Sequence, residues 1–160
     1  MKSVFIALIL LFLQPVFAIN TPAEVDCYIT VVKNDCWKNT NATITLTNLA
    51  TKEVVASVVV PTGELWSRKK TTCTLGTALS YSASYSPVFW QSDKGKVFYS
   101  DKYWTLPESM QKGQQALTIT ICFPEQFVGT PIPPDATSKC KCDPSIAPPV
   151  KLNSGEIVSD

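Results

Sequence analysis

Histidine is absent from this 160-residue chain, and its absence excludes several chemistries at once. Ser-His-Asp and Cys-His catalysis, histidine metal ligands and a histidine pH switch all go with it. Net charge is nearly absent as well. Fourteen Lys+Arg against 13 Asp+Glu leave a formal +1. Such a balance gives no global attraction to nucleic acid or to an anionic membrane. No C-x-x-C pair, calcium loop, phosphate loop or internal repeat occurs, and the acidic residues are too scattered to nominate a carboxylate pair. The chain is nonetheless 45% hydrophobic and 17% charged. That composition is not that of a disordered polypeptide, and the length suits one domain.

The first residues present form an address. Met1-Lys2-Ser3 carries one positive charge, an apolar run follows from Val4 to Leu13, and Gln14-Pro15 breaks it before Val16-Phe17-Ala18. Charge, apolar stretch and small residues in that order read as a secretory signal over residues 1–18. A membrane-spanning helix needs about 20 apolar residues, and the proline interrupts this run too early. Cleavage is expected after Ala18, and no cysteine directly follows for lipid attachment. Removing Lys2 with the signal leaves the mature chain formally neutral. The expected location is secreted or periplasmic, with no stable membrane anchor after cleavage.

Cys27, Cys36, Cys73, Cys122, Cys140 and Cys142 all lie beyond that point. An exported chain meets oxidising conditions, so an even count predicts three disulfides rather than a metal site. No cofactor and no metal is expected. Six cysteines allow 15 pairings, and the sequence does not choose among them. Disulfide geometry argues only against a bond between neighbouring Cys140 and Cys142.

The body reads as β-strands. Leu79-Ser80-Tyr81-Ser82-Ala83-Ser84-Tyr85-Ser86 places four larger residues on one face and four serines on the other. Only a strand separates the two sets this way. Thr43–Thr47 alternates with the same period, with Ile44 and Leu46 opposite the threonines. Further strands are expected over Val25–Val32, Lys52–Val60, Lys96–Trp104 and Gln115–Phe123, with a short extra one at Leu65–Arg68. Turn signals separate them at Asn39-Thr40-Asn41, Pro61-Thr62-Gly63, Asp93-Lys94-Gly95 and Lys112-Gly113. About seven short strands so spaced predict an all-β, antiparallel, immunoglobulin-like β-sandwich over residues 19–123. A helical turn is expected around Pro107–Lys112, because proline suits a first helical position. Residues 124–149 hold seven of the twelve prolines together with Cys140 and Cys142. They read as a proline-rich strap stapled to the sandwich, and 150–160 as a frayed end.

The densest signal is aromatic. Phe89, Trp90, Tyr99, Tyr103 and Trp104 fall in one stretch, with Trp37 and Trp66 elsewhere. Such rings either fill a small core or form a contact surface for a protein or a sugar. The candidate binding residues are Trp90, Tyr99, Tyr103 and Trp104. Basic groups cluster at Arg68-Lys69-Lys70 and at Lys94, Lys96 and Lys102. In a neutral mature chain these read as solvated edges, where lysine discourages strand pairing. Asn41-Ala42-Thr43 fits a glycosylation acceptor. Ser67 with Lys69, or Ser138 with Lys139, would be needed for Ser-Lys catalysis, and no strand-turn-helix context supports either.

Thr43–Arg68 (TITLTNLATKEVVASVVVPTGELWSR) resembles hairpins of immunoglobulin-like and transthyretin-like sandwiches. Ser86–Pro107 (SPVFWQSDKGKVFYSDKYWTLP), Cys122-Phe123-Pro124 and Cys140-Lys141-Cys142 are similar to small exported proteins of Gram-negative bacteria that have no characterised activity. The resemblance implies an exported sandwich and carries over no functional residue.

The expected function is non-enzymatic binding of a protein or glycan partner through the aromatic surface, with no nucleic acid involved. The alternatives are a structural or assembly component of the envelope and a small hydrolase that works without histidine. Oligomeric state is left open.

Overall fold

We describe the protein from a computed structural model, which defines residues 23–137, 140–152 and 157–158. The secretory signal expected at 1–18 lies outside the described residues, as does the Ser138–Lys139 pair.

The chain folds into two sheets packed face to face. Its strands are β1 (Glu24–Lys33), β2 (Asn41–Asn48), β3 (Val54–Val60), β4 (Trp66–Thr74), β5 (Ala78–Ser86), β6 (Phe98–Thr105) and β7 (Leu117–Phe123). One sheet has the order β4-β1-β7 and the other β3-β2-β5-β6. Every pairing within them is antiparallel except one: β1 and β7 run parallel, with Cys27 opposite Leu117 and Lys33 opposite Phe123. The all-β sandwich expected from the alternation is therefore present, with this parallel pair as its one departure. Among the described residues there is no α-helix, only single 3₁₀ turns at Asp35–Trp37, Gln91–Asp93 and Pro144–Ile146.

The core follows the period-two pattern. Ile29 and Val31 of β1, Ile44 and Leu46 of β2, Val58 and Val60 of β3, Leu79 and Ala83 of β5, and Ile119 and Ile121 of β7 are buried between the sheets. Trp37 closes one end. It is 1% exposed and sits edge-on to Tyr85 and Phe123, with ring centroids 4.8 and 4.7 Å away. Edge-to-face contacts of this kind add to area burial, so this cluster is a strong local anchor.

Two expectations at the strand level change. The short strand foreseen at Leu65–Arg68 is a nine-residue strand reaching Thr74. It is a sheet edge, so one side of its backbone needs no partner, and its polar run Arg68-Lys69-Lys70-Thr71-Thr72 pairs with β1 without apolar side chains. The helical turn foreseen at Pro107–Lys112 does not form. That segment is an irregular connection with a turn at Lys112-Gly113, and Gly113 adopts a φ of +87° that only glycine takes readily.

The six cysteines form three disulfides: Cys27–Cys73, Cys36–Cys140 and Cys122–Cys142. The first joins β1 to β4 inside the core. The other two staple the proline-rich strap, as expected. Thr30 and Val32 are buried although they point away from the core partners Ile29 and Val31. The strap covers them. The Cys142 sulphur lies 3.9 Å from the Val32 carbonyl oxygen. Arg68 donates from Nε to Thr30 Oγ1 and from Nη2 to the Pro148 carbonyl, both at 2.7 Å. The chain end expected to fray begins with a buried residue, Val150, and Val150–Lys151 (β8) pairs antiparallel with Ile157–Val158 (β9).

Candidate functional site

The candidate surface is built on the outward face of the four-stranded sheet. Alternation puts Thr43, Thr45 and Thr47 on that side of β2, opposite Ser84, Ser82 and Ser80 of β5. On β3, Val59, Ser57 and Val54 complete the same rows. On β6, Tyr99 pairs with Ser82 and Tyr103 with Ser80. Paired residues in an antiparallel ladder share a face, so both tyrosines edge the hydroxyl rows. They are 64% and 63% exposed, while their strand neighbour Phe98 is buried in the core. Their partners are two residues apart on β5, which places the tyrosines about 7 Å apart along the strand direction.

The other two candidate aromatics stand elsewhere. Trp104 pairs with buried Leu79, so it emerges from the opposite side of β6 and is 38% exposed. Trp90 precedes the 3₁₀ turn at Gln91–Asp93 and is 51% exposed. The four expected contact residues are all at the surface, and the register joins only Tyr99 and Tyr103 into one patch. Trp37 belongs to the core, and Phe89 packs on it at 5.2 Å.

The loop carrying Trp90 is pinned. The Tyr85 hydroxyl donates to Asp93 Oδ2 at 2.9 Å, and Lys96 Nζ donates to Asp93 Oδ1 at 2.9 Å. The Asp93 amide in turn bonds the Trp90 carbonyl. Lys96 holds the Asp93 carboxyl below the usual carboxylate range, helped by Tyr85 and opposed by burial. Burial, then the bond to Asp93, pushes the Tyr85 hydroxyl up to about 12. Lys96 is thus engaged, while Lys94 and Lys102 are exposed.

A second feature could not be seen in the sequence. A cleft of about 410 Å³ opens between the strap and the loop after β1, walled by Trp37, Pro124, Pro131, Ile132 and Pro133 with Asn34 at its side. Asn34 Oδ1 is buried there without a hydrogen-bond partner among the described residues. Its walls come from residues that are distant in sequence, so no local pattern announces it. The basic run of β4 lies across a shallow depression of about 610 Å³ beside Tyr28 and Trp66. There Arg68 stacks 5.6 Å from the Trp66 ring centroid and Lys70 lies 5.8 Å from that of Tyr28. Lys70 also pairs with Asp26 at 2.7 Å, and Glu64 lines the depression, which therefore carries charges of both signs.

Other chemistries find little support in the geometry. Cys122, Glu125 and Cys142 are close enough to suggest a metal cluster, but both sulphurs belong to one disulfide and are not thiolates. Lys69 Nζ donates to the Ser57 carbonyl at 3.3 Å rather than to Ser67. Asn41 of the glycosylation sequence is exposed, and its Oδ1 accepts from the Thr62 amide and hydroxyl at 2.8 and 3.2 Å.

Three disulfides mark a chain folded in an oxidising, extracellular environment. Among the described residues, no helix is long and apolar enough to cross a membrane. No family model matches the chain, and no curated protein matches it. Among solved structures, it is similar to the glycoside hydrolase family 15 glucoamylase from Hypocrea jecorina. The identity is 10% and the TM-score 0.38, over 64% of this chain and 17% of that one. At that score the likeness carries no argument for function.

Proposed function

We propose that this is an exported, non-enzymatic binding protein that recognises a protein or glycan partner through the β6 edge of its four-stranded sheet. The observation that carries the reading is the exposed pair Tyr99 and Tyr103, each opposite a serine on one face. Large rings held on a rigid strand bind with little entropy loss, which is why aromatic residues dominate binding hot spots. Trp90 and Trp104 extend the aromatic surface beyond this face. The signal-like residues 1–18 and the disulfides support export, and the absence of histidine supports a role without acid–base catalysis.

The test is a set of alanine variants at Tyr99, Tyr103, Trp90 and Trp104. Partner capture from native secretions or host extract should fall for Tyr99→Ala and Tyr103→Ala, while the thermal midpoint stays within the narrow range of ordinary surface substitutions. Capture that survives the double substitution Tyr99→Ala/Tyr103→Ala would remove the β6 edge from the binding surface. Turnover of glycan or peptide substrates by the purified protein would overturn the non-enzymatic reading.

A further inference from the structure

The outward face beside Tyr99 and Tyr103 has a chemical character the binding reading alone does not explain. Strands β2, β3 and β5 contain no Lys, Arg, Asp or Glu (NATITLTN, VVASVVV and ALSYSASYS). Exposed protein surface ordinarily carries charged side chains at roughly a quarter to a third of its positions. The other sheet obeys that rule, with Asp26, Arg68 and Lys70 on its outward side. Here the inward positions are apolar, as any sandwich requires, yet the outward rows of β2 and β5 are all hydroxyls, Thr43, Thr45, Thr47, Ser80, Ser82 and Ser84, and β3 extends them with Ser57 between the exposed Val54 and Val59.

Few of these hydroxyls have work to do within the fold. Thr45 donates to Ser57 at 3.5 Å, and Ser80 donates to the Thr47 carbonyl at 3.3 Å. Those of Thr43, Ser82 and Ser84 have no protein partner among the described residues. Each can both donate and accept. The four strands span about 14 Å at ordinary spacing, and β6 borders the hydroxyl rows with Tyr99 and Tyr103 and, between them, the exposed Asp101 and Lys102. Uncharged rows of short donors and acceptors on β2, β3 and β5, next to exposed aromatic faces, are the complement of a neutral polyhydroxyl chain. Sugar hydroxyls meet the serines and threonines, and the apolar face of a sugar ring lies on a tyrosine.

We propose that this face binds a neutral glycan laid across β3, β2 and β5 toward Tyr99 and Tyr103. The assignment rests on the binding reading above and names its ligand class. A protein partner fits less well, because a protein surface brings charges that the rows of β2, β3 and β5 could not pair and would leave desolvated.

The test uses the folded, disulfide-bonded chain and neutral hexasaccharides of glucose, mannose and N-acetylglucosamine, with a hexasaccharide of uronic acid as the charged control. Calorimetry should show at least one neutral probe binding and the charged probe weaker. Thr45→Lys and Ser82→Lys should each weaken that probe at least tenfold with the thermal midpoint retained. Thr45→Val and Ser82→Ala, which remove a hydroxyl without adding bulk, should weaken it several-fold, and they carry the test if the lysine variants fail to fold. Binding of a neutral probe that ignores all four substitutions would overturn the assignment to this face. Absence of binding by every neutral probe, with partner capture still lost in Tyr99→Ala/Tyr103→Ala, would overturn the glycan and leave the binding reading standing. Self-association of the chain that Ser82→Lys abolishes would make a second copy the occupant, and would overturn it too.

Discussion

Tyr85 and Asp93 meet at 2.9 Å across the neck of the 87–97 loop, a core side chain holding a loop side chain. Both residues are buried, and Lys96 supplies the remaining charge. Tyr85→Phe keeps the ring contacts with Trp37 and Phe98 and removes only the donor. It should lower the thermal midpoint by a few degrees, and should speed hydrogen exchange of the Asp93 amide more than that of any β2 amide. The Asp93 carboxyl is held below its ordinary value. Its stabilising contribution is therefore complete above the unfolded value near 3.8 and fades as pH falls through the folded one. The difference between wild type and Tyr85→Phe should shrink in strong acid, as followed by circular dichroism.

Lys33 carries the opposite linkage. Its side chain is buried at the end of β1, where Nζ donates to the carbonyls of Thr40, Val60 and Pro61. Burial lowers it from 10.5 to about 8, against a smaller upward pull from Glu64. Below about 8 both folded and unfolded chains hold the proton, and the cost of burying the charge is constant. Between there and 10.5 the unfolded chain still holds a proton that the folded chain has shed, so stability rises with pH. Relative to Lys33→Met, wild type should gain on the order of 1–2 kcal/mol across that interval once solvent screening is allowed for. Urea titrations of both proteins at each pH measure this, and parallel pH profiles would refute it.

Removal of the strap's first staple should be costly. Cys36 and Cys140 are 104 residues apart, whereas Cys122 and Cys142 are 20 apart. In the loop-entropy account those separations correspond to about 4.7 and about 3.3 kcal/mol. Cys36→Ser/Cys140→Ser should therefore destabilise more than Cys122→Ser/Cys142→Ser in guanidinium unfolding. Native protein should gain six hydrogens in intact mass on full reduction, matching its three bridges.

Arg68 links the strap to the sheet without a covalent bond. Arg68→Ala removes the donors to Thr30 and Pro148 and the stack on Trp66. Limited proteolysis should then cut near 143–151 faster, with both strap disulfides intact and the core melting close to wild type. Unchanged cleavage there would mean the disulfides alone hold the strap.

Much of this fold could be read from residues. The serine alternation of β5 and the threonine alternation of β2 declare both the strand and which face is dry. Strands buried on two faces or lying at an edge speak less clearly. In β1, Thr30 and Val32 are covered by the strap, which blurs the period, and β4 is a mostly polar edge strand whose Lys69 and Thr71 donate to backbone carbonyls of β3. Tyr99 and Tyr103 are an even number apart, so a strand would place them together, and they remain so despite the irregularity in the β5–β6 register. Nothing local distinguishes Trp37, fully buried, from Trp90, half exposed. That difference is set by Tyr85, Phe89 and Phe123, which reach Trp37 from three other segments. Disulfide pairing and the Asn34 cleft depend in the same way on long-range topology.

The parallel pairing of β1 with β7 sets an order of assembly. A chain delivered N-terminus first presents β1 long before β7 exists, and β4 can satisfy only one of its edges. Until Phe123 arrives, the other edge of β1 stays an open template for any passing strand. The last strand of the sandwich is thus the one that seals the first. Such distant closure is slow, so the open edge of β1 is exposed to mispairing until β7 has been delivered, before the strap follows.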